Sequence, residues 1–488
     1  MDTKNLLGRQ AEQAVLRSFL EAGSPRFLAL YGRRRVGKTY LIRRFFEHQS
    51  LLLEVTGKRG ASHEVQIELL CSALERMFEF SIESPRPKTW KEAFELLTKY
   101  ATTYIQRRAN LPLVIFLDEL PWLAARDPQL IEELDHFWNT QWSRLEHFKL
   151  IVCGSAASWI LDNIVDATGG LHNRITDRIL LSQFNLPETK EYLNSKNIHL
   201  PLMSLIELYM CLGGVPFYLE RIPPQLSTQQ IVHQLCFAKA APLEGEFEIV
   251  FESLFDKSTR HRSVLDALAG ARYGLSQQEI ATRCNLSLGG SFTNLLYELE
   301  TCGFIKRYVP FGRKERDSYY RLVDAFSLFH KAWIEPSRKK HVAVQDNYWA
   351  LLSNSQAFAS WAGYSFETIC HLHANQILRK LGISGVAVLI SHWLHQDRDT
   401  GSKAQVDMVL DRADQTITLC EAKFTKAPVR VSKSLVERLR NTETLFRDKT
   451  KTKKFINHAI ISCSGVVENE LSREIFATVV EGDDLCEA

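Results

Sequence analysis

The chain has 488 residues, enough for about three domains of roughly 150 residues each. With 45% apolar and 24% charged residues it reads as cored globular protein and not as a disordered chain. Sixty Lys+Arg against 57 Asp+Glu leave a net charge of +3, which excludes a wholly basic nucleic-acid coat but not a local basic patch.

The opening Met1-Asp2-Thr3-Lys4-Asn5 lacks a basic stretch followed by an apolar core, so no signal peptide is expected. Phe27-Leu28-Ala29-Leu30-Tyr31 is a short apolar run that stops at Gly32, and Thr39 to His48 reads as a helix. Leu51 to Val55 is a second run, Leu113 to Leu117 a third that ends in Asp118-Glu119, and Leu150 to Cys153 a fourth that ends at Gly154-Ser155. Continuous apolar runs separated by amphipathic stretches are the pattern of parallel strands buried on both faces. They predict an α/β core over residues 1–184.

From 185 to 255 the strand signal disappears, and Leu205 to Leu212 stops at Gly213-Gly214, which predicts a helical lid. Arg262 to Ala269, a start capped by Ser276 before Glu279, and Ser291 to Cys302 read as three helices. A hairpin from Gly303–Tyr308 and Tyr319–Leu322 follows, so 256–336 has a winged-helix pattern. After the basic joint Arg338-Lys339-Lys340-His341, residues 345–488 mix helices with strands. No run approaches about 18 apolar residues, so no membrane partner is expected. The ten cysteines are scattered singly without a C-x-x-C pair, which suits a reducing cytoplasm and gives no zinc framework.

Gly32-Arg33-Arg34-Arg35-Val36-Gly37-Lys38-Thr39 matches G-x-x-x-x-G-K-[ST] between an apolar strand and a helix. Glycines let the backbone curl so that its N–H groups face phosphate oxygens, and the next helix aims its N-terminus at the same anion. Lys38 adds a point charge for the β- and γ-phosphates, and the Thr39 hydroxyl is placed to ligate Mg²⁺. The Asp118-Glu119 pair is the expected companion, with Asp118 toward the metal and Glu119 polarising an attacking water. Ser155 is a candidate contact for the γ-phosphate or that water, and an ordinary strand-end serine is the plain alternative. Arg174, or less favoured Arg178, is a candidate to meet γ-phosphate charge; a solvated arginine fits equally well. A nucleotide kinase would use the same loop, but no acceptor site is evident.

With these motifs, the first 255 residues resemble a prokaryotic AAA-related ATPase of the archaeal, STAND-like type. Leu7-Gly8-Arg9-Gln10-Ala11-Glu12 is similar to the family's opening motif near the adenine, Tyr31 to Thr39 to its phosphate loop, and Leu117-Asp118-Glu119 to its metal strand. Cys153-Gly154-Ser155 is similar to its sensor strand, and Gly213-Gly214-Val215-Pro216 to its lid motif. The resemblance implies ATP and Mg²⁺ as cofactors. It implies nucleotide contacts from Gly8, Arg9, the loop from Gly32 through Arg33, Arg34, Arg35, Val36, Gly37, Lys38 and Thr39 to Tyr40, and Pro216 near the base.

Toward the C-terminus, Val406 to Leu410 and Thr416 to Lys423 read as two strands joined by Arg412-Ala413-Asp414. Glu421 and Lys423 share a face because side chains alternate along a strand. A three-residue turn sets Asp407 opposite Leu419, diagonal to Glu421; a two-residue turn would put the acids on opposite faces. Two carboxylates beside a lysine suit a Mg²⁺ site for phosphodiester cleavage. A surface hairpin with a helpful charge pair is the plain reading of the string alone.

The strand after Gly401-Ser402-Lys403-Ala404-Gln405-Val406 and the segment Cys420-Glu421-Ala422-Lys423-Phe424 resemble the PD-(D/E)xK restriction-endonuclease-like fold. Glu367, in a helix beginning near Gly363, occupies the position of that family's helical carboxylate. The resemblance implies metal contacts from Glu367, Asp407 and Glu421 and a catalytic role for Lys423; retained cleavage stays open.

Residues 424–454 hold ten Lys/Arg against three acids, a local +7 beside the hairpin. Arg283, Lys306, Arg307, Arg313, Lys314 and Arg316 lie on or near the expected recognition helix and wing. DNA is therefore the expected macromolecular partner, with a solvated face or a protein-binding module as alternatives. The expected function is an ATP-hydrolysing P-loop ATPase coupled to DNA binding and Mg²⁺-dependent cleavage. The rival is a nucleotide-controlled signalling or scaffold ATPase whose tail binds without cutting, and homo-oligomerisation is open under both.

Overall fold

The computed structural model describes residues 6–82, 85–107, 111–125, 127–166, 173–255, 258–339, 348–396 and 403–487. Met1–Asn5, residues 340 and 341 of the expected basic joint, Leu171-His172 and Gly401-Ser402 lie outside them. The chain divides into two compact units, one up to Gln183 and one from Phe184 onward, with short segments at 253–256 and 301–303 grouped with the first. The expected lid, winged-helix pattern and tail are thus segments of one second unit.

The first unit contains α1 (Gln10–Glu21), β1 (Arg26–Tyr31), α2 (Lys38–Phe46), β2 (Leu51–Thr56), α3 (His63–Phe78) and α4 (Trp90–Arg107). It continues with β3 (Leu113–Asp118), α5 (Leu120–Ala124), α6 (Gln129–Thr140), β4 (Phe148–Gly154), α7 (Ala157–Ile160) and β5 (Asp177–Leu180). The strands form one parallel sheet in the order β2-β3-β4-β1-β5. Its apolar residues alternate between two cores. Phe27, Ala29, Ile115, Leu117, Leu150 and Val152 face α3, α4 and α6. Leu28, Leu30, Val114, Phe116, Ile151 and Cys153 face α1 and α2. Burial on both sides is why these strands read as unbroken apolar runs. β5 escapes that pattern: Asp177-Arg178-Ile179-Leu180 is an edge strand with only Ile179 fully buried, so its residues carry no continuous apolar signal.

The second unit opens with α8 (Leu186–Ser195), α9 (Leu202–Leu212), α10 (Pro216–Leu219), α11 (Thr228–Cys236) and α12 (Glu246–Leu254). Asn185 and Glu188 form a reciprocal capping box at the start of α8. Gly214 is required by a close approach. Phe184 N–H donates to its carbonyl at 2.8 Å, and a Cβ at Gly214 would lie 1.9 Å from the Phe184 oxygen.

Next come α13 (Ser258–Ala269), β6 (Leu275–Ser276), α14 (Gln277–Arg283), α15 (Gly290–Thr301), β7 (Ile305–Tyr308) and β8 (Tyr319–Leu322). Ser276 and Glu279 cap α14 reciprocally, and β7 and β8 pair antiparallel, with β6 on the other side of β8. The loop after β7 is not free: Phe311 N–H donates to the His392 carbonyl at 3.1 Å, and its ring lies 4.9 Å from that of Phe446.

The remainder runs α16 (Ala325–Phe329), α17 (Glu335–Lys339), α18 (Tyr348–Leu352), α19 (Gln356–Leu372), α20 (Ala374–Lys380), β9 (Val388–Gln396), β10 (Lys403–Arg412) and β11 (Thr416–Lys423). It ends with β12 (Val429–Arg430), α21 (Lys433–Thr450), β13 (Phe455–Ser462), β14 (Val466–Val467), α22 (Glu470–Ile475), β15 (Phe476–Glu481) and α23 (Gly482–Leu485). The main sheet is mixed, in the order β15-β13-β11-β10-β9: β9, β10 and β11 are antiparallel, while β11, β13 and β15 run parallel.

Two contacts bind the N-terminal helices to this part. Phe237 stacks on Trp349 at 5.3 Å. His373 donates from Nδ1 to the Ile369 carbonyl and accepts the Leu186 N–H on Nε2, both at 2.9 Å. Among the described residues no helix is long and apolar enough to cross a membrane.

Candidate functional site

In the first unit the loop leaves β1 at Gly32, whose φ of 146° and whose missing Cβ (it would sit 2.2 Å from the Leu181 carbonyl oxygen) admit only glycine. Arg35 and Gly37 are also left-handed, at φ 77° and 92°, which curls the loop into the N-terminus of α2. Lys38 is buried at 6% exposure. Its ammonium donates to the carbonyls of Gly32 at 2.8 Å and Arg33 at 3.0 Å, and to Ser155 Oγ at 3.1 Å. The Ser155 hydroxyl in turn donates to Glu119 Oε1 at 2.6 Å, and its N–H donates to Glu119 Oε2 at 3.2 Å.

Glu119 leaves the end of β3 in a left-handed conformation, with its N–H on Asp118 Oδ1 at 3.0 Å. Thr39 Oγ1 donates to Asp118 Oδ2 at 2.7 Å. A hydroxyl and a carboxylate in contact are a donor set that fits a hard divalent cation. The ends of β1, β3 and β4 therefore bring Lys38, Thr39, Asp118, Glu119 and Ser155 together.

The leading segment is tied to this loop. Arg9, buried and left-handed, donates from Nη2 to the Val36 carbonyl at 3.3 Å, and the Gly8 carbonyl accepts from Gln13 at 2.7 Å. Arg33 is buried, Arg34 and Arg35 are half-buried, and Tyr40 is exposed, with the Arg44 guanidinium 5.7 Å over its ring. Arg174 is exposed, and no contact joins it to the loop among the described residues. Arg178 pairs instead with Asp166 at 3.6 Å, which spends its charge at the sheet edge.

Residues 6–222 match the family model of an ATPase domain predominantly from Archaea. The chain carries an archaeal-type ATPase domain. The matched stretch contains the sheet, the phosphate loop and the Asp118-Glu119 strand end. The chain is 21% identical over 400 residues, 80% of its own length and 82% of the relative's, to an uncharacterized protein of Methanocaldococcus jannaschii. Among solved structures it is similar to the Walker-type ATPase PABY2304 of Pyrococcus abyssi, with 19% identity, 67% of this chain, 96% of that one and a TM-score of 0.49. It is also similar to the Aeropyrum pernix ORC2 protein, crystallised as ADPNP–ADP complexes, with 13% identity, 70% of this chain, 98% of that one and a TM-score of 0.40. The P-loop assignment itself stands on the strand order and the loop geometry.

Outside unit one, Pro216 opens α10 beside the Gly213-Gly214 turn in the second unit. The second candidate site also lies in that unit. The β10–β11 register pairs Met408 with Cys420, so its continuation sets Asp407 directly opposite Glu421 rather than Leu419. The turn has three residues as expected, but it is Ala413-Asp414-Gln415, one position later, because Gln415 takes the left-handed conformation. A register slip between β9 and β10 at Val406/Val409 frames Asp407. Its Oδ2 accepts the Ala422 N–H at 3.0 Å and its Oδ1 accepts from Gln405 at 2.6 Å.

Glu421 accepts from Lys423 and from Arg438, each at 2.6 Å. Burial and the nearby Glu421 charge push the Asp407 carboxyl up, against bonds from Ala422 and Gln405. Burial works on Glu421 too, but Lys423 and Arg438 outweigh it and hold that carboxyl down.

Glu367, on α19, is buried and bonded by Arg272, with Arg321 at 3.8 Å. Burial and then Asp407 raise it to about 7, although both arginines oppose the rise. Among the described residues no group of three or more His, Cys, Asp or Glu is arranged to hold a metal ion, so Glu367 does not join Asp407 and Glu421 in one three-carboxylate cluster. The sequence reading missed Arg272, Tyr273, Gln405, Arg321 and Arg438. Of these, Gln405, two residues before Asp407 on one strand, and Arg438, within the basic stretch 424–454, carried a signal in the sequence.

The basic stretch is less free than its +7 suggests. Arg438 bonds Glu421, Arg440 bonds Glu474, Arg447 bonds Glu443, Lys451 bonds Asp448 and Lys454 bonds Asp411. Lys426, Arg430, Lys433 and Lys453 stay exposed. On and around the β7–β8 hairpin, Lys306, Arg313, Lys314 and Arg316 are exposed, while Arg307 is bonded to Ser318.

Proposed function

We propose that the chain couples ATP hydrolysis in its first unit to nucleic-acid binding and cleavage in its second. The observation that carries the ATPase part is the continuous Lys38–Ser155–Glu119 contact beside the Thr39–Asp118 pair. In this reading the N–H groups from Gly32 to Thr39 bind the phosphates, and Lys38 exchanges its loop carbonyls for β- and γ-phosphate oxygens. Thr39 and Asp118 would hold Mg²⁺, which when bound supplies charge neutralisation to the phosphates. Glu119 takes the proton of the attacking water, and Ser155 orients that carboxylate toward it. Arg174 supplies charge to the γ-phosphate, and Gly8, Arg9 and Tyr40 contact the nucleoside.

In the second unit we assign Asp407 and Glu421 as the carboxylates that would hold Mg²⁺ and Lys423 as the group that orients or deprotonates water. Their common face on adjacent strands supports this. The three-helix segment with its β6-β8-β7 sheet has the order of a winged helix, and its exposed Arg313, Lys314 and Arg316 suit a DNA backbone. Ten free cysteines suit the cytoplasm.

The purified chain is expected to cut single- or double-stranded DNA or RNA with Mg²⁺ or Mn²⁺, in the presence or absence of ATP. Asp407→Ala and Lys423→Ala should each abolish the cut while leaving ATP turnover intact. Absence of cleavage on every substrate removes the nuclease part. It would favour the switch reading, which the complete ion pairing of Glu421 and Glu367 also suits.

A further inference from the structure

Two features of the three-helix segment face one another across a cleft. Antiparallel pairing sets Ser276 of β6 beside Tyr319 of β8, so the start of α14 lies against the end of the β7–β8 connection. Between them is a cavity of about 400 Å³, lined by Gln277 and Gln278, by Arg313, Arg316 and Tyr319, and by Leu288 from the turn before α15. That volume lies within the range of sites that enclose a small molecule, about 300–1,000 Å³.

The connection is held in shape by its own bonds. Arg307 donates from Nε to Ser318 Oγ at 2.8 Å and from Nη2 to the Glu315 carbonyl at 3.1 Å, and Ser318 Oγ donates to the same carbonyl. Arg313 N–H donates to the Pro310 carbonyl at 3.0 Å and Asp317 N–H to the Lys314 carbonyl at 2.8 Å. Gln277 is fixed as well, donating to the Tyr320 hydroxyl at 2.9 Å. The two guanidiniums of the lining are not spent in this way. Arg313 is exposed with no side-chain partner among the described residues, and Arg316, 79% exposed, has only Asp317 at 4.0 Å. Leu288 is 52% exposed and leaves apolar surface open to water.

Guanidiniums match phosphate oxygens with paired N–H donors. A glutamine amide both donates and accepts, as the edge of a base demands. The Tyr319 ring and Leu288 offer apolar surface to the face of a base. A base inside a duplex reaches such a cavity only by leaving its stack, a cost that an unpaired base does not carry. We propose that this cleft takes one unpaired nucleotide of a nucleic-acid strand, with its phosphate on Arg313 and Arg316 and its base against Leu288, Tyr319 and Gln278. The inference rests on the reading of the three-helix segment as a nucleic-acid binder and adds to it a preference for strand ends or gaps over continuous duplex.

The test is fluorescence anisotropy of the full chain, without ATP and with EDTA so that no strand is cut, on a blunt DNA duplex and on the same duplex with a short single-stranded end. The overhanging duplex should bind about tenfold tighter. Leu288→Trp and, separately, Gln278→Trp fill the cleft from exposed positions and should each remove that preference, with the unfolding temperature of each variant checking the fold. A deoxynucleoside monophosphate, at the concentration of overhanging duplex that saturates the chain, should not compete. Equal affinity of the parent for both duplexes, or a preference that both Trp variants retain, overturns the pocket and leaves nucleic-acid binding standing. Failure to bind either duplex overturns the nucleic-acid reading and the inference with it. Full competition by the mononucleotide assigns the cleft to a free nucleotide and likewise overturns the proposal.

Discussion

Ser155 sits between charges of opposite sign, accepting from Lys38 and donating to Glu119. The sequence offered it as a candidate for the γ-phosphate or the attacking water; the lateral contact to Glu119 arises because β3 and β4 are neighbours, which no local pattern states. Ser155→Ala removes both hydroxyl hydrogen bonds and leaves the Glu119 carboxylate held only by the backbone N–H of residue 155. The expected result is a fall of about tenfold in kcat for ATP hydrolysis with nucleotide affinity nearly unchanged. A fall in affinity alone would assign Ser155 to phosphate binding instead.

The phosphate loop and Asp118-Glu119 were legible because their chemistry is written in contiguous residues. Arg272, Tyr273 and Arg321 were not, since they meet Glu367 and Gln405 across as many as 132 residues of chain, without a shared motif.

Among the elements, four of the five strands of the first sheet announce themselves as apolar runs, and β5 does not because three of its four residues keep partial exposure. The β10–β11 hairpin was legible in its face but not in its register, since the side-chain period fixes parity while the turn's left-handed residue fixes position. The turn before α10 gives an element-scale prediction. Gly214→Ala drives a Cβ to 1.9 Å from a backbone oxygen that cannot rotate away. It should cost about 3 kcal/mol and lower the Tm of the second unit; an unchanged Tm would show that the Phe184–Gly214 contact is dispensable.

On the scale of the whole molecule, the segments read from the sequence as lid, three-helix segment and tail touch one another within the second unit. Phe237 on Trp349, Leu186 on His373 and Phe311 on Phe446 join the helices after Phe184, the three-helix segment and the C-terminal sheet. Sequence patterning shows which faces are apolar but not which partner covers them, so these contacts were not legible.

Three histidines in this unit make its stability depend on pH. Burial lowers His330 to about 3, with Lys331 and Arg338 adding to the shift. Burial lowers His373 to about 4, where protonation of Nε2 would also break the Leu186 bond. Burial and Arg321 lower His392 to about 3. Each folded value lies below the ordinary 6.5, so the unfolded chain binds more protons between pH 6.5 and about 4. Their stabilising contribution is complete above that window and is lost as pH falls through it, at up to about 1.4 kcal/mol per pH unit for each site. Calorimetry should show a lower Tm at pH 5 than at pH 7; a flat profile would mean that these rings are not held neutral.

The coupling of ATP turnover to the Lys38–Ser155–Glu119 contact is tested most directly by single-turnover hydrolysis with the full chain. Glu119→Gln keeps the shape and one of the two Ser155 hydrogen bonds but loses the base, so ATP should still bind while the rate falls about a hundredfold or more. Lys38→Ala should lose both binding and turnover. Hydrolysis by Glu119→Gln within a few-fold of the parent would contradict the account.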